Sequence, residues 1–303
     1  MRQLQNILLV FSLVAPLGAL AWGPTGHKAT GYIAEANLTP EARTAVVKIL
    51  GKTLLAEAVL WPDMVRKLPE YAGTKGYHFV DTPDEFRDRE HLDAKEILEF
   101  PKHKAGALEA ILKYKKFLAK KTGSKKDKTE ALKFLIHCIG DLHQPLHSGF
   151  DGDAGGNAIQ VKWFENDTNL HQVWDRGIIS ESRKELLKNA GKKDPGYLYA
   201  VAISEEYPSP LKTAGTVGEW YQESLDVVPA AYIGYDEDQN VYLHQYQSVV
   251  DLRVRKAGLR IAYTLNEIFS TSDKDLLIDI SADDIKKFFQ GLDTLIQIGP
   301  IDE

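Results

Sequence analysis

From residue 28 to residue 269 the apolar positions recur mostly at three- and four-residue intervals, the period of a helix with one buried face. Helices are expected over residues 28–37, 40–50, 103–120, 129–142, 217–228 and 240–269. Thr39-Pro40 offers an N-cap followed by proline at the first helical position. The 103–120 segment sets an apolar stripe against lysines, whereas 129–142 is more apolar and reads as buried. Pro229 is expected to end the 217–228 helix, because proline lacks an N–H and clashes with the preceding turn. The 240–269 segment is long enough to be broken. Alternation by twos is clear in residues 158–164, where Ile159, Val161 and Trp163 oppose Gln160 and Lys162. That short strand follows a turn-rich DGDAGGN. The fold class is therefore all-α, mostly helical, with a short β element. No internal repeat or long linker divides residues 22–303, which read as a single helical domain.

The first residues break this pattern. Arg2 precedes an apolar run over residues 7–20, and Ala19-Leu20-Ala21 is a small-x-small processing site. The run is shorter than the roughly 20 apolar residues a membrane helix needs. A signal peptide over residues 1–21 is expected, cut after Ala21, with no stable membrane anchor and a secreted or periplasmic destination. Trp22 then becomes the first residue, and its amine becomes a possible metal ligand.

Composition adds two constraints. Cys138 is the single cysteine, so an intrachain disulfide is excluded. An exported chain without disulfides needs another staple, and metal ions can serve. The net charge of −6 is poor for nonspecific duplex binding, unless bound cations supply positive charge locally. The basic run KYKKFLAKKTGSKKDK over residues 113–128 reads as a solvated helix face and a loop.

The densest chemistry lies in HCIGDLHQPLH, residues 137–147. His137 and Asp141 are four apart and share a helical face. Pro145 breaks the helix, so the chain can turn after Gln144 and bring His147 to a neighbouring position. His143 lies off that face and reads as structural. Downstream, NLHQVWD places His171 and Asp175 four apart on another helix; upstream, WPDMVR carries Asp63, GYHFVD carries His78, and WGPTGHK carries His27. Imidazole and carboxylate without a thiolate cluster suit zinc. Metal ions about 3.5–4 Å apart suit phosphoester hydrolysis.

In this order WGPTGHK, WPDMVR, YHFVD, HCIGDLHQPLH, GGN and NLHQVWD resemble the zinc-dependent single-strand nucleases of the S1/P1 type, which include plant bifunctional nucleases. The resemblance implies the phospholipase C/nuclease type of helical domain around a trinuclear zinc site. It assigns one Zn2+ to Asp63, His78, His137 and Asp141. A second goes to the Trp22 amine and carbonyl, His27 and Asp141, and a third to His147, His171 and Asp175. The implied activity is endonucleolytic hydrolysis of single-stranded RNA and DNA to 5′-phosphates by a metal-held hydroxide, with 3′-nucleotidase activity. Single strands and 3′-nucleotides are the implied partners, and no protein partner is implied. Asp63 and Arg66 take catalytic roles by the same resemblance, while Phe79, Asp81 and Asn157 bind the base. Two rivals remain open at this point. A zinc phospholipase C shares the fold, but typically carries glutamate where Asp175 stands. A secreted binding protein with purely structural zinc would have closed coordination.

Overall fold

The computed structural model describes residues 22–270, apart from residues 102, 121, 209, 210 and 212. The expected signal peptide and residues 271–303 of the expected domain lie outside the described residues. In chain order the helices are α1 (Pro24–Ala36), α2 (Pro40–Leu50), α3 (Leu55–Ala58), α4 (Trp61–Val65), α5 (Ala94–Glu99), α6 (Gly106–Ala119) and α7 (Lys125–Leu142). After the hairpin of β1 (Gln160–Trp163) and β2 (Asn166–Asn169) come α8 (Leu170–Gln172), α9 (Ile178–Ser182), α10 (Lys184–Lys188), α11 (Pro195–Glu206), α12 (Val217–Leu225), α13 (Val228–Ala231) and α14 (Gln239–Phe269). A wide π-helical turn, Val173–Gly177, joins α8 to α9. The structure is thus mostly helical, with one two-stranded antiparallel sheet pairing Gln160 with Asn169 and Trp163 with Asn166.

Two apolar clusters organise the helices. One gathers Leu132, Leu135, Ile136 and Ile139 of α7 with residues of α2, α6, α12 and the end of α14. The other gathers Trp22, Ile33, Trp174, Tyr199 and Val254 from α1, α11, α14 and the segment around the π turn. Burial of such side chains contributes about 1.5–3 kcal/mol each relative to exposure. The apolar sides of α1 and α14 meet closely at Gly258, where a Cβ would lie 2.6 Å from the Ile33 Cβ. A glycine inside a helix costs about 1 kcal/mol in propensity, and here it permits the helix crossing.

Most expected elements are present, with informative differences. Helix α2 has the expected bounds, and the Thr39 hydroxyl accepts the Ala42 N–H at 3.2 Å. Helix α1 begins at Pro24 rather than residue 28, because proline fits the first turn. Helix α7 begins at Lys125 rather than residue 129. Ser124 and Asp127 form a reciprocal capping box, so KKDK is the first helical turn and not a loop. The 217–228 helix ends at Leu225, and Pro229 sits in the first turn of α13, where its missing N–H costs nothing. Helix α14 runs unbroken for 31 residues. The partner strand β2, polar along its length, was not expected; its sequence, NDTN, has no apolar alternation to reveal it.

Candidate metal centre

Helix α7 delivers the first groups. His137 and Asp141 stand one turn apart, both fully buried. The His137 Nδ1–H donates to the Val59 carbonyl at 2.7 Å, which turns Nε2 inward. From there Nε2 lies 3.0 Å from Asp141 Oδ2, 2.9 Å from His78 Nδ1 and 3.8 Å from Asp63 Oδ1. Asp141 Oδ2 is also 3.0 Å from His78 Nδ1, while Oδ1 faces His27 Nε2 at 3.2 Å. One carboxylate thus reaches His27 with one oxygen and the His78–His137 pair with the other, the disposition a bridging ligand requires. The His27 ring stacks on His137 at 4.4 Å between centroids. Gly140 makes room for it, since a Cβ there would lie 3.1 Å from His27 Nδ1.

A second group is built after Pro145. The chain leaves α7, and His147 donates its Nδ1–H to the His78 carbonyl at 2.5 Å. His171 donates Nδ1–H to the Gly155 carbonyl at 2.7 Å. Both rings therefore turn Nε2 toward Asp175 Oδ1, at 3.7 and 3.5 Å. The carbonyl of Gly155 is available because this residue takes φ +63°, and a Cβ would meet the Leu146 carbonyl at 2.3 Å. The π turn carries Asp175 back beside His171, and π turns recur at functional sites. Asp175 is held by two amides: Gln144 Nε2 donates to Oδ1 at 2.7 Å and Gln172 Nε2 to Oδ2 at 2.9 Å.

Trp22 lies beside both groups. Its indole N–H donates to the Gly140 carbonyl at 3.0 Å, and the next residue's N–H donates to the Asp175 carbonyl at 2.7 Å. The side chains expected as ligands fall into three sets, His27–His137–Asp141 and Asp63–His78–His137, which share His137, and a separate His147–His171–Asp175. Their donor atoms lie within 4.8 Å of one another in each set. Ligand atoms around one tetrahedral zinc lie about 3.3 Å apart, given bonds of about 2.0–2.2 Å.

These atoms fit a cation better than they fit one another. His27 Nε2, Asp63 Oδ1, Asp141 Oδ1, His147 Nε2 and His171 Nε2 face these groups and are buried without a hydrogen-bond partner. Leaving a buried polar atom unpaired costs about 1–3 kcal/mol, so so many in one place call for a ligand. The nitrogen and oxygen donor set, with no thiolate, suits Zn2+. Cys138 does not contribute: it is fully buried in the apolar core, and burial pushes its thiol well above the usual range.

The electrostatics agree. Burial above all holds His27, His78 and His171 below the ordinary imidazole value, so they are neutral donors. Burial also opposes charge on His137, but Asp141 and Asp63 outweigh it and push His137 up to about 9. Asp141 is buried too, yet its histidine neighbours, His137 foremost, hold it well below the usual carboxylate range. Without a cation, a proton on His137 balances the Asp141 charge; a divalent ion would serve the same need more fully.

The groups open on a groove of about 760 Å³ lined by His78, His147 and His171. Arg66, Phe79, Asp81 and Asn157, expected from the sequence, line it as well. Arg66 lies 3.6 Å from Asp63 Oδ1. Phe79 is 40% exposed, so it is not the core residue its type would suggest. Burial foremost, with Asp151 adding to it, raises Asp81 to about 6. His143 stays apart as expected: its Nδ1–H meets the Ile139 carbonyl at 2.7 Å and Nε2 accepts from Arg260 at 2.8 Å. Sequence reading missed the supports of the site. Gln144 and Gln172 sit inside the quoted motifs beside ligating residues, which was a usable signal. The carbonyls of Val59, His78 and Gly155 leave no trace in residue type.

The family model described as S1/P1 Nuclease matches residues 22–270. The chain is 35% identical to Endonuclease 3 of Arabidopsis thaliana, over 89% of this chain and 95% of that protein. It is 33% identical to Endonuclease 5 of the same plant, over 89% and 97%. Nuclease P1 of Penicillium citrinum is 28% identical, over 82% of this chain and 97% of its own.

Proposed function

This chain belongs to the S1/P1 nuclease family, and from that premise we propose that it is an exported, zinc-dependent endonuclease. It hydrolyses phosphodiester bonds of single-stranded RNA and DNA to 5′-phosphate products, and it removes the 3′-phosphate of nucleotides. The observation that carries this reading is the cluster of unpartnered buried donors opening on a groove lined by Arg66, Phe79, Asp81 and Asn157. A purely structural staple would have no reason to face such a groove.

Three Zn2+ would be held by Asp63–His78–His137–Asp141, by Trp22–His27–Asp141, and by His147–His171–Asp175. Zinc there supplies Lewis acidity, which activates water and offsets charge on phosphoryl oxygens. The chain's own groups do the rest. Asp63 Oδ1 has no hydrogen-bond partner and can orient the attacking water. The Arg66 guanidinium, beside Asp63, suits the charge that develops on phosphoryl oxygens. Phe79 offers an exposed ring for a base to stack on, which tolerates any base. Asp81 accepts from the base edge; the Asn157 amide, steadied by the Ala154 carbonyl at 2.8 Å, keeps its oxygen as an acceptor. A splayed single strand can reach this depth, whereas a paired duplex keeps its bases stacked inside.

Export and activation are coupled on this reading. Removal of residues 1–21 would free the Trp22 amine to join His27 and Asp141 as a ligand. A variant retaining one extra residue before Trp22 should bind less zinc and turn over more slowly; full occupancy and turnover would refute the coupling. The test of the function offers single-stranded RNA and DNA, duplex DNA, 3′-AMP and phosphatidylcholine to the zinc-loaded protein beginning at Trp22, with a chelator control. Chelator-sensitive cleavage of single strands to 5′-phosphate ends is expected. Lipid hydrolysis alone, or no turnover with zinc bound, would overturn it.

A further inference from the structure

A second cavity, of about 340 Å³, adjoins the groove and shares Phe79, Asp81 and Asp151 with it. We propose that this cavity is a subsite for a neighbouring nucleobase of the same single strand, with Lys104 at its mouth taking a phosphate. The proposal rests on the nuclease reading above and extends it from one nucleotide to two.

The walls define the ligand. Pro83, Phe100 and Pro101 supply flat apolar surface, and the backbone of Gly106 completes the wall. Such walls suit a planar ring. The volume is at the low end of small-ligand pockets, which run about 300–1,000 Å³, so it admits one base and not a base pair with its backbone. The polar lining adds an edge preference. Asp81, Glu85 and Asp151 are acceptors and repel a phosphate from the interior. They match the exocyclic amines of adenine, guanine and cytosine; uracil and thymine have none. His103 contributes a ring whose Nε2 is buried and has no hydrogen-bond partner. Burial holds this imidazole below its ordinary value, so the neutral ring can pair with a base edge. Lys104 is exposed beside it and is the cation among the described residues that line this cavity.

The wall between the cavities is firmly placed. The Ala107 N–H donates to the Phe79 carbonyl at 3.1 Å, and a Cβ on Gly106 would lie 1.9 Å from that oxygen. The His103 N–H donates to the Phe100 carbonyl at 3.1 Å, which fixes the turn that carries His103 and Lys104. A strand whose base stacks on Phe79 can therefore pass its next base into a preformed pocket.

The experiment uses the zinc-loaded protein beginning at Trp22, with His103→Ala and Lys104→Ala, singly and together. Binding of a non-hydrolysable phosphorothioate hexanucleotide and of an adenosine 3′-phosphonate, a mononucleotide analogue whose C–P bond is not hydrolysed, is read by fluorescence anisotropy and competition. The double variant loses one base-edge hydrogen bond and one charged phosphate contact, so hexanucleotide affinity should fall roughly 10- to 100-fold. Affinity for the mononucleotide analogue should be unchanged, and oligo(A) should exceed oligo(U) in the parent, a preference that Glu85→Ala should reduce. Equal weakening for both ligands, or an unchanged hexanucleotide affinity, would overturn the subsite. Because binding is read without turnover, failure of the parent protein to cleave strands would strike the proposed function alone.

Discussion

Two buried polar clusters hang from the same end of α7, and they differ in one respect. On one face His137 and Asp141 meet His27, His78 and Asp63, and buried donor atoms are left without partners. On the other, His143 meets Arg253, Arg260 and Glu223, and the charges answer one another. Glu223 accepts from Arg260 at 2.7 and 2.9 Å, from Arg253 at 2.9 Å and from Lys256 at 3.1 Å. The Arg253 Nε–H donates to the His143 carbonyl at 3.0 Å. Both clusters are buried and rich in titratable groups, so burial and perturbed pKa values do not separate site from scaffold. Unsatisfied valence does. The scaffold answers its carboxylate with Arg253, Arg260 and Lys256, while Asp141 in the site is met by three imidazoles.

The sharpest break in this comparison is Asp141→Asn. It removes the anion shared by His27, His78 and His137, so two of the three zinc ions should be lost and turnover should fall by more than about 100-fold, beyond the 10–100-fold typical of supporting residues. Elemental analysis and kinetics check it. Next comes Arg260→Met in the scaffold cluster. Removing one partner of a buried ion pair costs about 3–5 kcal/mol, read as a lower urea midpoint. Zinc stoichiometry per folded molecule should not change; if it does, the clusters are not separable.

A smaller effect concerns pH. Burial opposes ionisation of Glu223, but Arg260, Arg253 and Lys256 outweigh it and hold the carboxyl at about 2, against 4.5 ordinarily. A depressed carboxyl stabilises the fold above its unfolded pKa and loses that contribution as pH falls through the folded one. Glu223→Gln should therefore cost on the order of 2–3 kcal/mol at neutral pH, and the gap from the parent should close between about pH 4.5 and 2. A gap that persists at pH 2 would contradict it. Smallest is Gln172→Ala, which frees one Asp175 oxygen of its amide. Activity or affinity for the metal should fall about 10-fold, toward the low end for supporting residues, with thermal stability nearly intact.

How far these clusters were legible in the sequence follows from spacing. His137–Asp141 and His171–Asp175 could be paired because a helix repeats every 3.6 residues, and the π turn still returned Asp175 to His171. His143 could be set aside by the same arithmetic. The joining of His27, Asp63 and His78 to α7 could not be read from spacing, because it depends on how α1, α4 and the segment ending at His78 each pack on α7; the family resemblance supplied it. Supports made of backbone carbonyls have no residue signature. Nor did local pattern place the buried arginines of α14 against Glu223, since Arg and Glu read as surface residues until the packing is known. Helix starts slipped where capping chemistry, at Pro24 and Ser124, outran the apolar period.

The central claim is that the unpartnered donors are a zinc centre. The most direct measurement is the zinc content of the purified protein beginning at Trp22, by elemental mass spectrometry after dialysis, beside the Asp141→Asn variant. The account predicts three zinc ions per chain, with the two assigned to Asp141 lost in the variant and the His147–His171–Asp175 ion retained. A folded parent protein that holds no zinc, or a variant that keeps all three, would contradict it.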